Sequence, residues 1–314
     1  MMKKNKFIII TVILFINTII KVETQGTAHR FDKIVVFGDN NVDNGNEWKQ
    51  SNQTYPPSSI YKYQGRFSNG LTWVEYLSQF LEAQIEDYAF GGATSDSNFV
   101  PGFSGKYNNM SVIGIKQQVQ EYLINVSRNG TDFNKTLFVV EYLGNDYIND
   151  PTTNPIHVTG NLYQQWVSLS NLGVKHILIN NIFEFSLLPD KTKANKNVTQ
   201  LIDRKITLLH NAALVLRMTE FNIRSLGNSG KTKLYLLDLH NLWMRVRDGD
   251  VSKRLRLTNF NENCVERINI NEYKVCNDPD SFLYWDYFNP TTKMHSHIAF
   301  SAFNVIKAQK RIIF

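Results

Sequence analysis

Four short clusters of glycine, asparagine and aspartate stand out along the chain. They are Gly38-Asp39-Asn40-Asn41-Val42-Asp43-Asn44-Gly45-Asn46, Gly91-Gly92-Ala93-Thr94, Gly144-Asn145-Asp146 and Trp285-Asp286-Tyr287-Phe288-Asn289-Pro290-Thr291-Thr292. Their side chains are mostly carboxamides and carboxylates, and glycine lets another group come close to the backbone N–H. A carboxamide donates and accepts hydrogen bonds, but it is neither a useful nucleophile nor a titratable base near neutral pH. Asn40, Asn145 and Asn289 are therefore groups that hold rather than react, and Asp286 is an acceptor or a helix N-terminal group. Each cluster alone is ordinary turn chemistry. Their value depends on which elements present them.

Those elements alternate. Lys33–Phe37 is a short β-branched run leading into the first cluster, as expected for a buried parallel strand. Residues 44–70, rich in Asn, Ser, Pro and Gly, read as a long loop, and Leu71–Leu81 has helical spacing with Trp73, Tyr76, Leu77 and Phe80 on one face. Ile85–Phe90 is a second strand, Ile113–Val126 a helix and Thr136–Leu143 a strongly apolar strand. Tyr163–Leu172 is helical, Lys175–Ile182 a strand, Lys193–Ser225 a long helix and Lys233–Leu239 a fifth strand, with a last helix after Pro290. Strands alternating with helices predict a parallel sheet covered on both faces, with functional groups just past the strand C-termini. No linker or repeat divides residues 26–314, so one domain is expected there.

In this order and at these spacings the four clusters resemble the sequence blocks of the GDSL or SGNH hydrolases. Gly65-Arg66-Phe67-Ser68-Asn69-Gly70 followed by Trp73 looks like the segment after the first block in fungal and plant members. The resemblance implies a three-layer α/β/α sandwich with a mostly parallel, about five-stranded sheet, of the flavodoxin-like kind, and a family chemistry that uses no cofactor. It also implies site residues. The nucleophilic Ser of the family falls at Asn40 and the base His at Asn289, while the triad acid is kept as Asp286. The oxyanion hole is kept as the Gly92 N–H and the Asn145 side chain. Ester cleavage needs an oxygen nucleophile, an imidazole to take its proton and N–H donors for the oxyanion, and only the donors remain. Ser51, Ser58 and Ser59 lie too far along the loop to replace Asn40. His295 and His297 follow Asn289 by six and eight residues, and His295 matches a structural helix position of the family.

Composition narrows the setting. Hydrophobic content of 42% and 12% aromatics supply a sizeable core, which argues against disorder. The formal charge of +6 shrinks to +3 once residues 1–25, with four lysines and one glutamate, are set aside. The remaining basic residues form no stripe, so nucleic-acid binding has no support. Met1–Lys6 followed by the apolar run Phe7–Ile20 reads as a signal peptide over 1–25, too short for a span of about 20 apolar residues. No membrane span is expected in the mature chain. Sequons at Asn52, Asn109, Asn125, Asn129, Asn134 and Asn197 agree with secretion. Cys264 and Cys276 are expected to form one loop-closing disulfide, and no metal-ligand spacing appears.

These observations predict a secreted, catalytically impaired SGNH homologue whose pocket still binds an acylated sugar, a polysaccharide or an ester. The alternative is an active ester hydrolase with a non-standard site. A third reading is a secreted surface protein without a small ligand.

Overall fold

The computed structural model describes residues 31–125, 130–189, 196–226, 232–269 and 271–308; the expected signal peptide and the sequon at Asn129 lie outside them. The first strand, β1 (Lys33–Phe37), is apolar at consecutive positions because both of its faces are covered: Ile34, Val35, Val36 and Phe37 are all fully buried. Along the chain follow α1 (Asn46–Gln50), α2 (Trp73–Leu81), β2 (Gln84–Asp87), β3 (Gly102–Ser104), β4 (Met110–Val112), α3 (Ile115–Asn125), β5 (Thr136–Val140), α4 (Asn145–Asn149) and α5 (Pro155–Leu172). Then come β6 (His176–Asn180), α6 (Lys196–Leu226), β7 (Lys233–Leu237), α7 (Leu239–Arg247) and α8 (Asp250–Leu255). Four short strands, β8 (Asn259–Asn263), β9 (Val265–Arg267), β10 (Tyr273–Val275) and β11 (Phe282–Tyr284), precede α9 (Thr292–Lys307).

The main sheet has five strands, all parallel, in the order β2-β1-β5-β6-β7. Lys33 pairs with Thr136 and Phe37 with Val140, so the ends of β1 and β5 lie side by side and release their following loops together. Helices α2 and α9 pack on each other and against the sheet, while α3, α5 and α6 form a second group with α3 against β1. This is the three-layer α/β/α arrangement that the alternation predicts.

The five strands and the main helices fall where the sequence places them, with shifted ends. Helix α5 begins at Pro155, eight residues before Tyr163, because Asn154 caps it by accepting a hydrogen bond from the Ile156 N–H at 2.9 Å and Pro155 occupies the first turn. The 44–70 segment holds one short helix, α1. Phe80 departs from the predicted apolar face: Val74 is buried in its stead, and Phe80 is exposed against Phe303 of α9. The β3–β4 hairpin and β8–β11 have too few residues to carry a period.

Residues 65–70 staple the two ends of the site. Arg66 makes a two-pronged pair with Glu75 of α2, at 2.6 Å and 3.3 Å, and Glu75 also accepts from the Thr72 N–H at 2.9 Å. Ser68 Oγ donates to the Pro290 carbonyl at 2.9 Å, and Asn69 Oδ1 accepts from the Thr292 N–H at 2.8 Å. Gly70 allows this contact, since a Cβ there would collide with Thr292. Asn289 thus hangs from a helix start fixed by the loop that follows the first cluster.

The Cys264–Cys276 disulfide is formed, and it joins the start of β9 to the end of β10. Among the described residues no helix is long and apolar enough to cross a membrane.

Candidate active site

The loops after β1, β2 and β5 converge with the turn before α9 at the C-terminal edge of the sheet. Buried carboxylates hold them there. Asp43 accepts from the backbone N–H groups of Gly45 (2.8 Å), Asn46 (2.7 Å), Glu47 (3.1 Å) and Gly91 (2.9 Å), which ties the first cluster to the second. Asp146 accepts from the Ser95 N–H and hydroxyl, both at 2.7 Å, which ties the second to the third. Asp39 accepts from the Leu143 N–H at 3.1 Å, and Gln118 of α3 clamps Gly38 by bonding both its N–H and its carbonyl, at 2.9 Å and 3.0 Å. Gly38 to Asp43 is therefore immobilised on every side.

Asn40 stands at the centre of this frame. Its Oδ1 accepts a hydrogen bond from the Gly92 N–H at 2.8 Å, and Asn145 Nδ2 approaches the same oxygen at 3.5 Å while donating to the Ala93 carbonyl at 2.9 Å. Gly92 has a φ of +82°, and a Cβ there would run into the Phe103 carbonyl, so only glycine aims its N–H at this point. Asn40, Gly92 and Asn145 are thus brought together, as the sequence predicts. The carboxamide oxygen sits where two donors converge.

Asn289 and Asp286 form the other half. Asn289 Nδ2 donates to both oxygens of Asp286, at 3.0 Å and 2.9 Å, and the backbone N–H groups of Phe288 and Asn289 add bonds at 2.9 Å and 2.8 Å. Tyr61 completes the set, its hydroxyl donating to Asp286 Oδ2 at 2.8 Å. Asp286 therefore orients the Asn289 side chain, because an amide N–H donates to a carboxylate as an imidazole N–H would. Burial raises the Asp286 pKa, and these donors pull it back. With the nitrogen so committed, Asn289 Oδ1 is left buried with no hydrogen-bond partner.

A cavity of about 360 Å³ opens over these groups. Carboxamides line it, from Asn40, Asn41, Asn108, Asn145, Asn149 and Asn289. Aromatic rings form much of the rest, with Tyr55, Tyr61 and Phe67 from the long loop packed edge to face. Opposite them stand Phe103 and Ser104 of β3, Phe183 and Phe185 after β6, and Val265, Arg267 and Tyr273 of the disulfide-closed hairpin. The sequence alone missed these three walls, for they come from short strands and a turn without periodic signal. Ser51, Ser58 and Ser59 do not line the cavity. His295 is fully buried inside α9, where desolvation holds its pKa down at about 3, so it stays neutral and structural.

Burial also pushes acids upward. Asp39 is raised to about 6 and Glu47 to about 7, mainly by desolvation, and Glu141 and Asp87 are raised well above the usual carboxylate range. From about pH 6.5 upward an unfolded histidine is at most half protonated, so the buried neutral His210 and His295 withhold fewer protons than the raised carboxyls keep, while unfolded carboxyls are ionised. In that range the folded chain keeps protons that the unfolded chain has lost, so stability falls as pH rises. The melting temperature is expected to drop between pH 6.5 and 8, and Glu47→Gln should flatten the drop. Thermal melts across that range check it; a wild-type melting temperature that climbs instead would contradict this assignment.

The geometry agrees with the family comparison. Residues 34–300 match the profile of the GDSL-like lipase/acylhydrolase family. The chain is similar to the thermolabile hemolysin of Vibrio parahaemolyticus, 26% identical over 86% of this chain and 62% of that protein, slightly under two thirds of its length. It is also similar to a GDSL esterase/lipase of Arabidopsis thaliana, 25% identical over 82% of this chain and 89% of that one. A lipolytic G-D-S-L family protein from Veillonella parvula superposes with a TM-score of 0.45 at 11% identity, over 87% of this chain and 97% of its own. The converging loops and a profile match running from β1 into α9 lead to one conclusion: this chain belongs to the GDSL-like lipase/acylhydrolase family.

Proposed function

We propose that this chain is a secreted, non-hydrolytic member of its family, a single domain over residues 26–314 that binds an ester-bearing or carbohydrate ligand without cleaving it. The observation that carries this reading is Asn40. At the nucleophile position stands a group that cannot attack, and its own oxygen takes the hydrogen bond that would hold an oxyanion. Asn289 cannot accept a proton near neutral pH, and its nitrogen is committed to Asp286. The cavity meanwhile persists, walled by carboxamides and aromatic rings, the mixture that suits ligands with both apolar faces and hydroxyl groups. Secretion is supported by the N-terminal apolar run, the disulfide and the exposed sequon residues Asn52, Asn109 and Asn134.

The alternative, an active ester hydrolase with a non-standard site, has one specific support. Ser104 lines the cavity, and its hydroxyl and the Gly105 N–H face the buried carboxyl of Glu47, a group raised to about 7. A fluorophosphonate probe separates the two readings. Wild-type protein is expected to remain unlabelled. Labelling that disappears in Ser104→Ala would overturn the non-hydrolytic reading and install Ser104 as the nucleophile.

A further inference from the structure

In an ester-cleaving site the empty oxyanion hole offers its donors to the acyl carbonyl. Here that position is filled from within. Asn40 Oδ1 lies 2.8 Å from the Gly92 N–H and 3.5 Å from Asn145 Nδ2. An incoming ester carbonyl must displace an oxygen tethered to the same chain, which competes at high effective concentration and loses little freedom in binding. The displaced carboxamide must then find new partners. Asn40 Nδ2, by contrast, has no hydrogen-bond partner among the described residues and is left available as a donor.

The acceptors point the same way. Asn289 Oδ1 and Asn41 Oδ1 both belong to side chains on the cavity wall, both residues are more than nine-tenths buried, and neither oxygen has a partner. Both oxygens are closed off as the chain stands, so a hydroxyl donor reaches them only once its docking shifts these two side chains. The carboxylates add no demand, because Asp286 already accepts from Tyr61, Phe288 and Asn289 and Asp39 from Leu143. A hydroxyl group both accepts and donates, so it suits the Asn40 donor and the unpaired acceptors. An ester oxygen only accepts.

We propose that the pocket binds a carbohydrate through free hydroxyl groups and discriminates against the O-acylated form of the same sugar, with Asn40 as the specificity-determining residue that occupies the acyl-carbonyl position. This rests on the reading of the site as a non-hydrolytic binding pocket. It assigns the ligand to the deacylated side of the reaction that the family fold is built to catalyse. The aromatic walls stack on the sugar's C–H faces, and the carboxamides meet its hydroxyls.

The test is a microarray of plant and microbial cell-wall polysaccharides, each printed in its native O-acetylated form and again after mild alkaline deacetylation. The best-bound pair is then titrated calorimetrically as oligosaccharides against wild type and Asn40→Ala. Wild type is expected to bind the deacetylated member about tenfold more tightly, the difference expected from one competed hydrogen bond, and Asn40→Ala to bind both alike. Amide exchange at Gly92 gives a readout independent of any sugar: slow in wild type, fast in Asn40→Ala. Equal or tighter wild-type binding of the acetylated member, or a preference that survives in Asn40→Ala, overturns this proposal and leaves the non-hydrolytic reading standing. Binding of neither form overturns the proposal and the carbohydrate-binding reading together.

Discussion

The double variant Asn40→Ser/Asn289→His is expected to hydrolyse p-nitrophenyl acetate about 10³-fold faster than the wild-type chain or more, while either single variant stays near the wild-type rate. Nucleophile and base act as a unit: in subtilisin, removing either costs about 10⁶-fold in kcat, so restoring one alone recovers little. The frame for both is in place. A serine at position 40 carries no carboxamide oxygen, which frees the Gly92 N–H and Asn145 Nδ2 for the substrate. A histidine at position 289 finds Asp286 already poised, since Asn289 Nδ2 reaches both of its oxygens within 3.0 Å. Initial rates over a buffer blank decide the matter. A double variant no faster than wild type would mean that the site has lost more than its reacting groups.

Asp43→Ala should be the most damaging single change in the site's frame. The buried carboxylate accepts four backbone N–H bonds, from Gly45, Asn46, Glu47 and Gly91, and an alanine methyl replaces none of them. Uncompensated buried donors of this kind cost about 3 kcal/mol or more in sum. For a chain of this size that corresponds to a melting temperature lower by roughly 6 °C or more. Gly91 N–H is one of the released donors and Gly92 follows it, so the Asn40 contact should loosen at the same time. Thermal melts together with Gly92 amide exchange measure both effects. An unchanged melting temperature would show that Asp43 does not hold the two loops together.

The strands and helices that build the sheet were legible because their residues repeat. Ile34–Phe37 and Leu137–Val140 are continuous apolar runs, and such runs arise when a strand is covered on both faces. Asn40, Gly92, Asn145, Asp286 and Asn289 were legible for a different reason, the fixed order of their blocks. What the sequence did not disclose is relational. Nothing in the residue type of Asn40 says that its oxygen turns toward Gly92 rather than toward Asn289, because that follows from the positive φ of Gly92 and the packing of Phe103 behind it. Gln118, Asp43 and Asp146 likewise read as ordinary polar residues until burial leaves each facing backbone N–H groups from another loop. The cavity wall from β3 and from β9 and β10 escaped for want of length, since three-residue strands carry no period.

Strands β9 and β10 are the two arms of the segment closed by Cys264 and Cys276, and Val265, Arg267 and Tyr273 on those arms face the cavity. The wall of the cavity is therefore completed by an oxidation and not by the folding of the sheet alone. A chain produced where thiols stay reduced is expected to keep its five strands and its Asn40 contact but to present a cavity with one slack side. Silence from such a preparation in a binding screen reports on its sulfur chemistry, and says nothing about the oxidised cavity.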